Sequence, residues 1–132
     1  MSPRTAHSTA TTTSFDLVLP PDPELLRVVR LVASGLASLT ALDLDAVEEV
    51  RVGADELVAT LMKASDGASV RVNFAVTGDG VTISGTTRTS GRDFSPDPLT
   101  ERILGEVASD HAWSTEGDEV SGRIDHSVPA AG

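Results

Sequence analysis

Few residues in this chain have the type and spacing that chemistry needs. The clearest are Asp55 and Glu56, which interrupt an otherwise apolar stretch, with Thr60 four residues after Glu56. Residues four apart share a helical face, so the Glu56 carboxylate and the Thr60 hydroxyl project together. Taken alone, the pair reads as a solvated helix flank, because Glu is a good helix former and is usually exposed. The histidines suggest no metal site: His7, His111 and His126 lack the i, i+4 spacing and the closely spaced carboxylates of one. Asp110 precedes His111, and Asp125 and Ser127 flank His126, but neighbours on a strand point to opposite faces and form no triad. Both histidines read as surface or edge-strand residues. There is no G-x-x-x-x-G-K-S/T phosphate loop and no G-x-G-x-x-G after a strand; the glycines sit in turns.

The elements that position these residues follow from periodicity. Ser14 to Leu19 alternates Phe15, Leu17 and Leu19 with the other face, predicting a half-buried strand that Pro20 and Pro21 end. Asp22 offers an N-cap, with Pro23 at the first helical position and Glu24 in the first turn. The helix that follows carries Leu25, Val28, Val29, Val32, Leu36 and Leu39 at helical spacing, leaving Arg27, Arg30 and Ser34 on other faces. Asp43 or Asp45 caps a second helix, with Val47, Val50, Ala54, Leu57, Val58, Leu61 and Met62 inward and Ser65-Asp66-Gly67 at its end. Ser69 to Thr77 alternates, Gly78-Asp79-Gly80 turns, and Val81, Ile83 and Gly85 continue the apolar face of an antiparallel partner.

A loop from Thr89 to Pro98 leads to a short helix, capped by Asp97, with Leu99, Ile103, Leu104 and Val107 apolar. A final hairpin places Val120, Gly122, Ile124, His126 and Val128 on one face. The order βααββαββ predicts an α+β two-layer sandwich, a mixed, mainly antiparallel sheet covered by about three helices.

At 132 residues the chain is one domain, expected over residues 14–128 between disordered tails at 1–13 and 129–132. With 39% hydrophobic residues, no Tyr and few aromatics, its core must be aliphatic. Twenty acidic against ten basic residues leave a charge of −10, which opposes direct binding to nucleic acid or anionic membranes and favours a basic protein partner. No cysteine is present, which suits a reducing cytosol. No apolar run approaches a membrane span or a signal peptide, so a cytoplasmic location is expected.

The strings Leu19-Pro20 with Asp22-Pro23-Glu24-Leu25-Leu26-Arg27-Val28-Val29-Arg30, and Leu42 to Leu57, resemble the anti-sigma factor serine-kinase family of RsbW type. Its members carry a Bergerat-fold domain related to histidine-kinase ATPase domains. The likeness spans Phe15 to Val128 in element order and the first half in residue pattern. It implies an E-x-x-x-N box in which Glu56 matches the general base and Thr60 stands where an Asn holds Mg²⁺. A threonine hydroxyl also ligates Mg²⁺ in phosphate loops, though it is shorter than an Asn carbonyl.

The family's D-x-G-x-G adenine box has its best match in Thr89-Ser90-Gly91-Arg92-Asp93-Phe94, which keeps Gly91 and lacks the Asp and second Gly. The family's glycine-rich phosphate lid falls on Ser95 to Glu101, which has no glycine and brings Pro96, Asp97 and Pro98. The resemblance thus implies an anti-sigma factor that sequesters an alternative RNA polymerase sigma factor, with binding of ATP and Mg²⁺ weakened or lost. An anti-anti-sigma factor would release it. Arg27 and Arg30 would take part in partner contacts, and homodimerisation is typical of the family. The alternative it implies is a divergent serine kinase acting on an anti-anti-sigma factor, with Glu56 as base and Thr60 at the metal.

Overall fold

The computed structural model describes residues 11–90 and 93–129. Gly91 of the expected adenine box, residues 1–10 of the first tail and residues 130–132 of the second lie outside them. The chain runs β1 (Thr13–Leu19), a 3₁₀ turn (Pro23–Leu25), α1 (Leu26–Ala37), α2 (Leu44–Ala64), β2 (Val70–Thr77), β3 (Gly80–Arg88), α3 (Pro98–Val107), β4 (Asp110–Glu116) and β5 (Glu119–Ser127). The strands form one five-stranded sheet in the order β1-β2-β3-β5-β4. Every neighbouring pair is antiparallel, so the sheet contains no parallel component. The three helices lie on one face, which makes the domain the α+β two-layer sandwich that the element order predicts.

The local chemistry of the boundaries is as the sequence foretells. Asp22 Oδ1 accepts from the Glu24 backbone N–H at 3.0 Å, Asp43 Oδ1 from Ala46 at 2.8 Å, and Asp97 Oδ1 from Leu99 at 2.7 Å. Pro23 forms a 3₁₀ turn first, and the α-helix proper begins only at Leu26. α2 is the spine of the molecule. Its buried face is Val50, Gly53, Ala54, Leu57, Val58, Leu61 and Met62, and it rests on β3 and β5 while α1 and α3 pack against it.

Two glycines bring α2 down onto the sheet. Gly85 and Gly122 are cross-strand partners on β3 and β5. A Cβ at Gly85 would lie 2.5 Å from Leu61 Cδ1, and one at Gly122 would lie 2.6 Å from Leu57 Cδ1. The leucines therefore seat directly on bare backbone, which no larger residue permits.

The packing phase of α1 differs from the one expected. Val29, Ala33 and Ala37 are its buried stripe, while Val28 and Leu39 are exposed. The helix sits on α2 through alanines because small side chains let the two backbones approach, and the larger aliphatics are rotated toward the rim or outward. Similar rotations leave Leu99 exposed on α3, where Thr100 and Leu104 are buried instead. β1 extends beyond the helical layer at its start, so only Leu19 of its three expected core residues is buried and Phe15 is 42% exposed.

His126 is the clearest departure from expectation. It is not a surface residue: it lies 5% exposed on the inner face of β5, in the core row with Val120, Gly122 and Ile124. The imidazole faces Gly53 of α2, where a Cβ would sit 3.0 Å from its Nε2. His111, by contrast, is half-buried on the edge strand β4, as an edge-strand reading requires.

Candidate functional site

Of the predicted site residues, Thr60 and Thr89 lie where the C-terminal half of α2, the end of β3 and the start of α3 meet. Thr60 of α2, Thr89 just after β3 and Thr100 of α3 line one cavity of about 450 Å³, with Lys63, Ser65, Asp93, Phe94 and Asp97. Glu56 does not line it. Its Oε1 accepts a hydrogen bond from Thr100 Oγ1 at 3.3 Å, long for a hydroxyl–carboxylate pair. The carboxylate predicted as a base thus reaches α3 through a weak contact. Thr60 and Thr89 reach the same cavity from different elements, and Gly91 lies outside the described residues.

The described residues do not fit a magnesium–triphosphate group. Among the described lining residues, Lys63 shares the cavity with two carboxylates, Asp93 and Asp97, a net negative charge where a polyanion needs the opposite. The N-terminus of α3 has little to offer. Pro98 has no N–H, the Leu99 N–H is taken by Asp97 Oδ1, and the Glu101 N–H donates to the Asp97 carbonyl at 3.1 Å. Thr60 brings one neutral hydroxyl in place of a carboxamide, and among the described residues no cluster of three or more His, Cys, Asp or Glu is arranged to hold a metal ion.

α3 is also tied down from its other side. Trp113 Nε1 on β4 donates to Glu101 Oε2 at 2.7 Å, and His111 Nε2 lies 3.3 Å from the same oxygen. The Trp113 ring meets Phe94 with centroids 5.4 Å apart at a 52° tilt, a favourable aromatic geometry. Phe94 thereby anchors the loop between β3 and α3. The sequence singled out neither Glu101 nor Trp113 for this role; their pairing joins α3 to the sheet's far edge and has no local signature.

Arg27 and Arg30 lie elsewhere, on the outer side of α1. Arg30 Nη1 bonds Asp55 Oδ1 of α2 at 2.6 Å, which gives Asp55 a structural partner. Arg51 of α2 joins them, itself paired with Glu48, and hydrogen bonding from that guanidinium holds the Glu48 carboxyl below the usual range. Arg27, Arg30, Leu31, Ser34 and Arg51 line a shallow cavity of about 330 Å³. A third hollow, about 410 Å³, lies on the sheet around Asp16, Arg71, Asn73 and Arg123, remote from Glu56. Asn73 Nδ2 donates to Ser14 Oγ at 2.7 Å and Asp16 Oδ1 at 2.8 Å, and Arg123 pairs with Asp110 and Asp125.

His126 is buried without a partner for Nε2, while its ring also hydrogen-bonds to the Val107 backbone. Burial pushes its pKa down to about 4, against the weaker opposing effect of Asp125, so the ring is neutral near pH 7. No family model and no curated protein matches the chain. No helix among the described residues is long and apolar enough to cross a membrane.

Proposed function

We propose that this chain is a cytoplasmic binding regulator, an anti-sigma factor that sequesters an alternative RNA polymerase sigma factor without phosphoryl transfer. The observation that carries the non-enzymatic part is the donor set of the cavity beside α2. Phosphoryl transfer depends on cationic groups and backbone donors that stabilise charge on the moving phosphoryl. Among the described residues, Asp93, Asp97 and Pro96 share the cavity with Lys63, and Glu56 accepts a long hydrogen bond from Thr100. The sigma-factor part rests on the resemblance of the segments from Leu19 to Arg30 and from Leu42 to Leu57, joined by the charge of −10. A protein with basic nucleic-acid-binding surfaces is steered toward such a field and is masked by it.

The rival reading, a divergent serine kinase acting on an anti-anti-sigma factor, has one observation in its favour: Thr60 and Thr89 share a cavity next to the Glu56 helix. Calorimetric titration with ATP and Mg²⁺, followed by a phosphorylation assay on an anti-anti-sigma protein, separates the two. The binding reading expects no saturable heat in the micromolar range and no phosphoserine. Micromolar ATP binding that Glu56→Ala or Thr60→Ala weakens, with transfer to serine, would replace it by the kinase reading.

A further inference from the structure

The tip of the molecule where the chain turns from α1 into α2 sets exposed leucines among carboxylates. Leu39 lies in the loop after Ala37, the last residue of α1, and is 74% exposed; Leu44, the first residue of α2, is 87% exposed. Neither has local work to do. The two positions of a hydrophobic staple around the Asp43 cap are Leu42 and Val47, and both of those pack against the core. Leu44, between them, is the most exposed large apolar residue among those described.

The charge of the tip has one sign. From Leu39 to Val50 the chain carries Asp43, Asp45, Glu48 and Glu49 and neither lysine nor arginine. The turn between β2 and β3 adds a fifth acid, because the Ala41 N–H donates to the Gly78 carbonyl at 2.8 Å and holds the loop beside Asp79. All five are exposed. Glu48 pairs with Arg51, while Asp43, Asp45, Glu49 and Asp79 make no ion pair among the described residues. Asp43 and Asp45 serve the start of α2 as cap and first-turn acid. Glu49 and Asp79 have no such role. Like charges gathered on one tip repel one another, a cost that a cationic partner removes.

We infer that this tip is a docking surface for a cationic amphipathic segment of another protein, whose leucine-type side chains cover Leu39 and Leu44 while its lysines or arginines meet the carboxylates beside them. Charge decides among occupants. A second copy docking tip to tip would set these carboxylates against themselves. Nucleic acid and anionic membranes are repelled by the same groups. A purely apolar partner would bury carboxylates without pairing them, which outweighs the gain from covering two leucines. The chain's own first ten residues have Arg4 as their only lysine or arginine and Met1 as their only large apolar side chain, too little for both demands. The inference deepens the proposed function and rests on it for a basic protein partner, whose contact it puts at the far end of α2 from the cavity of Thr60 and Thr89.

The test uses the full chain and a short, fluorescently labelled helical peptide with leucines on one stripe and lysines beside them. Its controls are the same peptide with glutamine for lysine and one with serine for leucine. Fluorescence anisotropy gives affinity, and amide NMR shifts locate the site. The cationic leucine peptide is expected to bind with shifts over residues 39–49 and 78–80. Affinity should fall about tenfold or more, roughly 1.4 kcal/mol, for either control peptide and in the variants Leu44→Ser and Glu49→Lys, whose exposed sites leave melting unchanged. Glu119→Lys changes the net charge equally at the opposite end of the sheet and should keep the affinity within about twofold of the parent. Absence of binding, equal binding of either control peptide, an equal loss in Glu119→Lys or shifts elsewhere would each overturn the inference. A peptide that fails while a sigma factor binds overturns this surface alone, and a peptide that binds while every sigma factor fails overturns the sigma-factor reading alone.

Discussion

At the scale of single residues, His126 and Gly53 make sharply signed predictions. Alanine for glycine inside a helix ordinarily stabilises by up to about 1 kcal/mol. At Gly53 the sign reverses, because the added methyl would lie 3.0 Å from both His126 Nε2 and Ile124 Cδ1. Gly53→Ala is expected to destabilise by about 1–3 kcal/mol in urea denaturation, the range for overpacking a filled core. The imidazole carries a pH dependence. Its folded pKa, about 4, lies below the unfolded 6.5, so its contribution is fully present above pH 6.5 and is lost as pH falls toward 4. Across that window the difference amounts to roughly 3 kcal/mol. Urea midpoints measured from pH 7 to pH 4 should fall less steeply in His126→Gln than in the parent chain. Parallel curves would show that the ring is not the titrating group.

At the scale of elements, α2 is the spine and α3 is the piece clamped to it. Leu57→Ala removes the side chain seated on bare Gly122 backbone and is expected to cost about 2–5 kcal/mol in chemical denaturation. α3 depends on polar ties as well as on Leu104. Breaking Trp113 Nε1 to Glu101 with Glu101→Ala should cost only about 1 kcal/mol, since the bond is partly exposed. It should also shift the fluorescence of Trp113, the only tryptophan in the chain, to longer wavelength. Unchanged emission would contradict the clamp.

The legibility of these elements in the sequence follows the same division. β2, β3, β5 and α2 were readable because a half-buried strand or a long core helix stamps its period on the sequence, as Val70, Val72, Phe74 and Val76 do. The phase of α1 was not, because its contact stripe is Val29, Ala33 and Ala37, and alanines that permit close approach look featureless in a pattern weighted by size. At His126 residue type suggests surface, while position, in a row with Val120 and Ile124, sets burial. The Thr100 tie on Glu56 has no signature in the sequence. Its partners lie 44 residues apart, and only the docking of α3 joins them.

At the scale of the whole molecule, the sheet, its helical layer and the negative field bear on what the domain does. On the proposed reading the surplus charge would steer a basic partner at long range, and that effect on association should weaken as salt shortens the screening length. On the proposed reading partner binding should be indifferent to nucleotide, because the described lining of the cavity beside α2 sets Asp93 and Asp97 beside Lys63. Glu56→Ala should change partner affinity by no more than about 1 kcal/mol, as expected for a residue outside the contact. The most direct measurement is the affinity of the full chain for each purified sigma factor of its host, with and without ATP and Mg²⁺. The expected result is tight binding to at least one alternative sigma factor, with the same dissociation constant in both conditions. Binding to none, or binding that requires ATP and Mg²⁺, would contradict it.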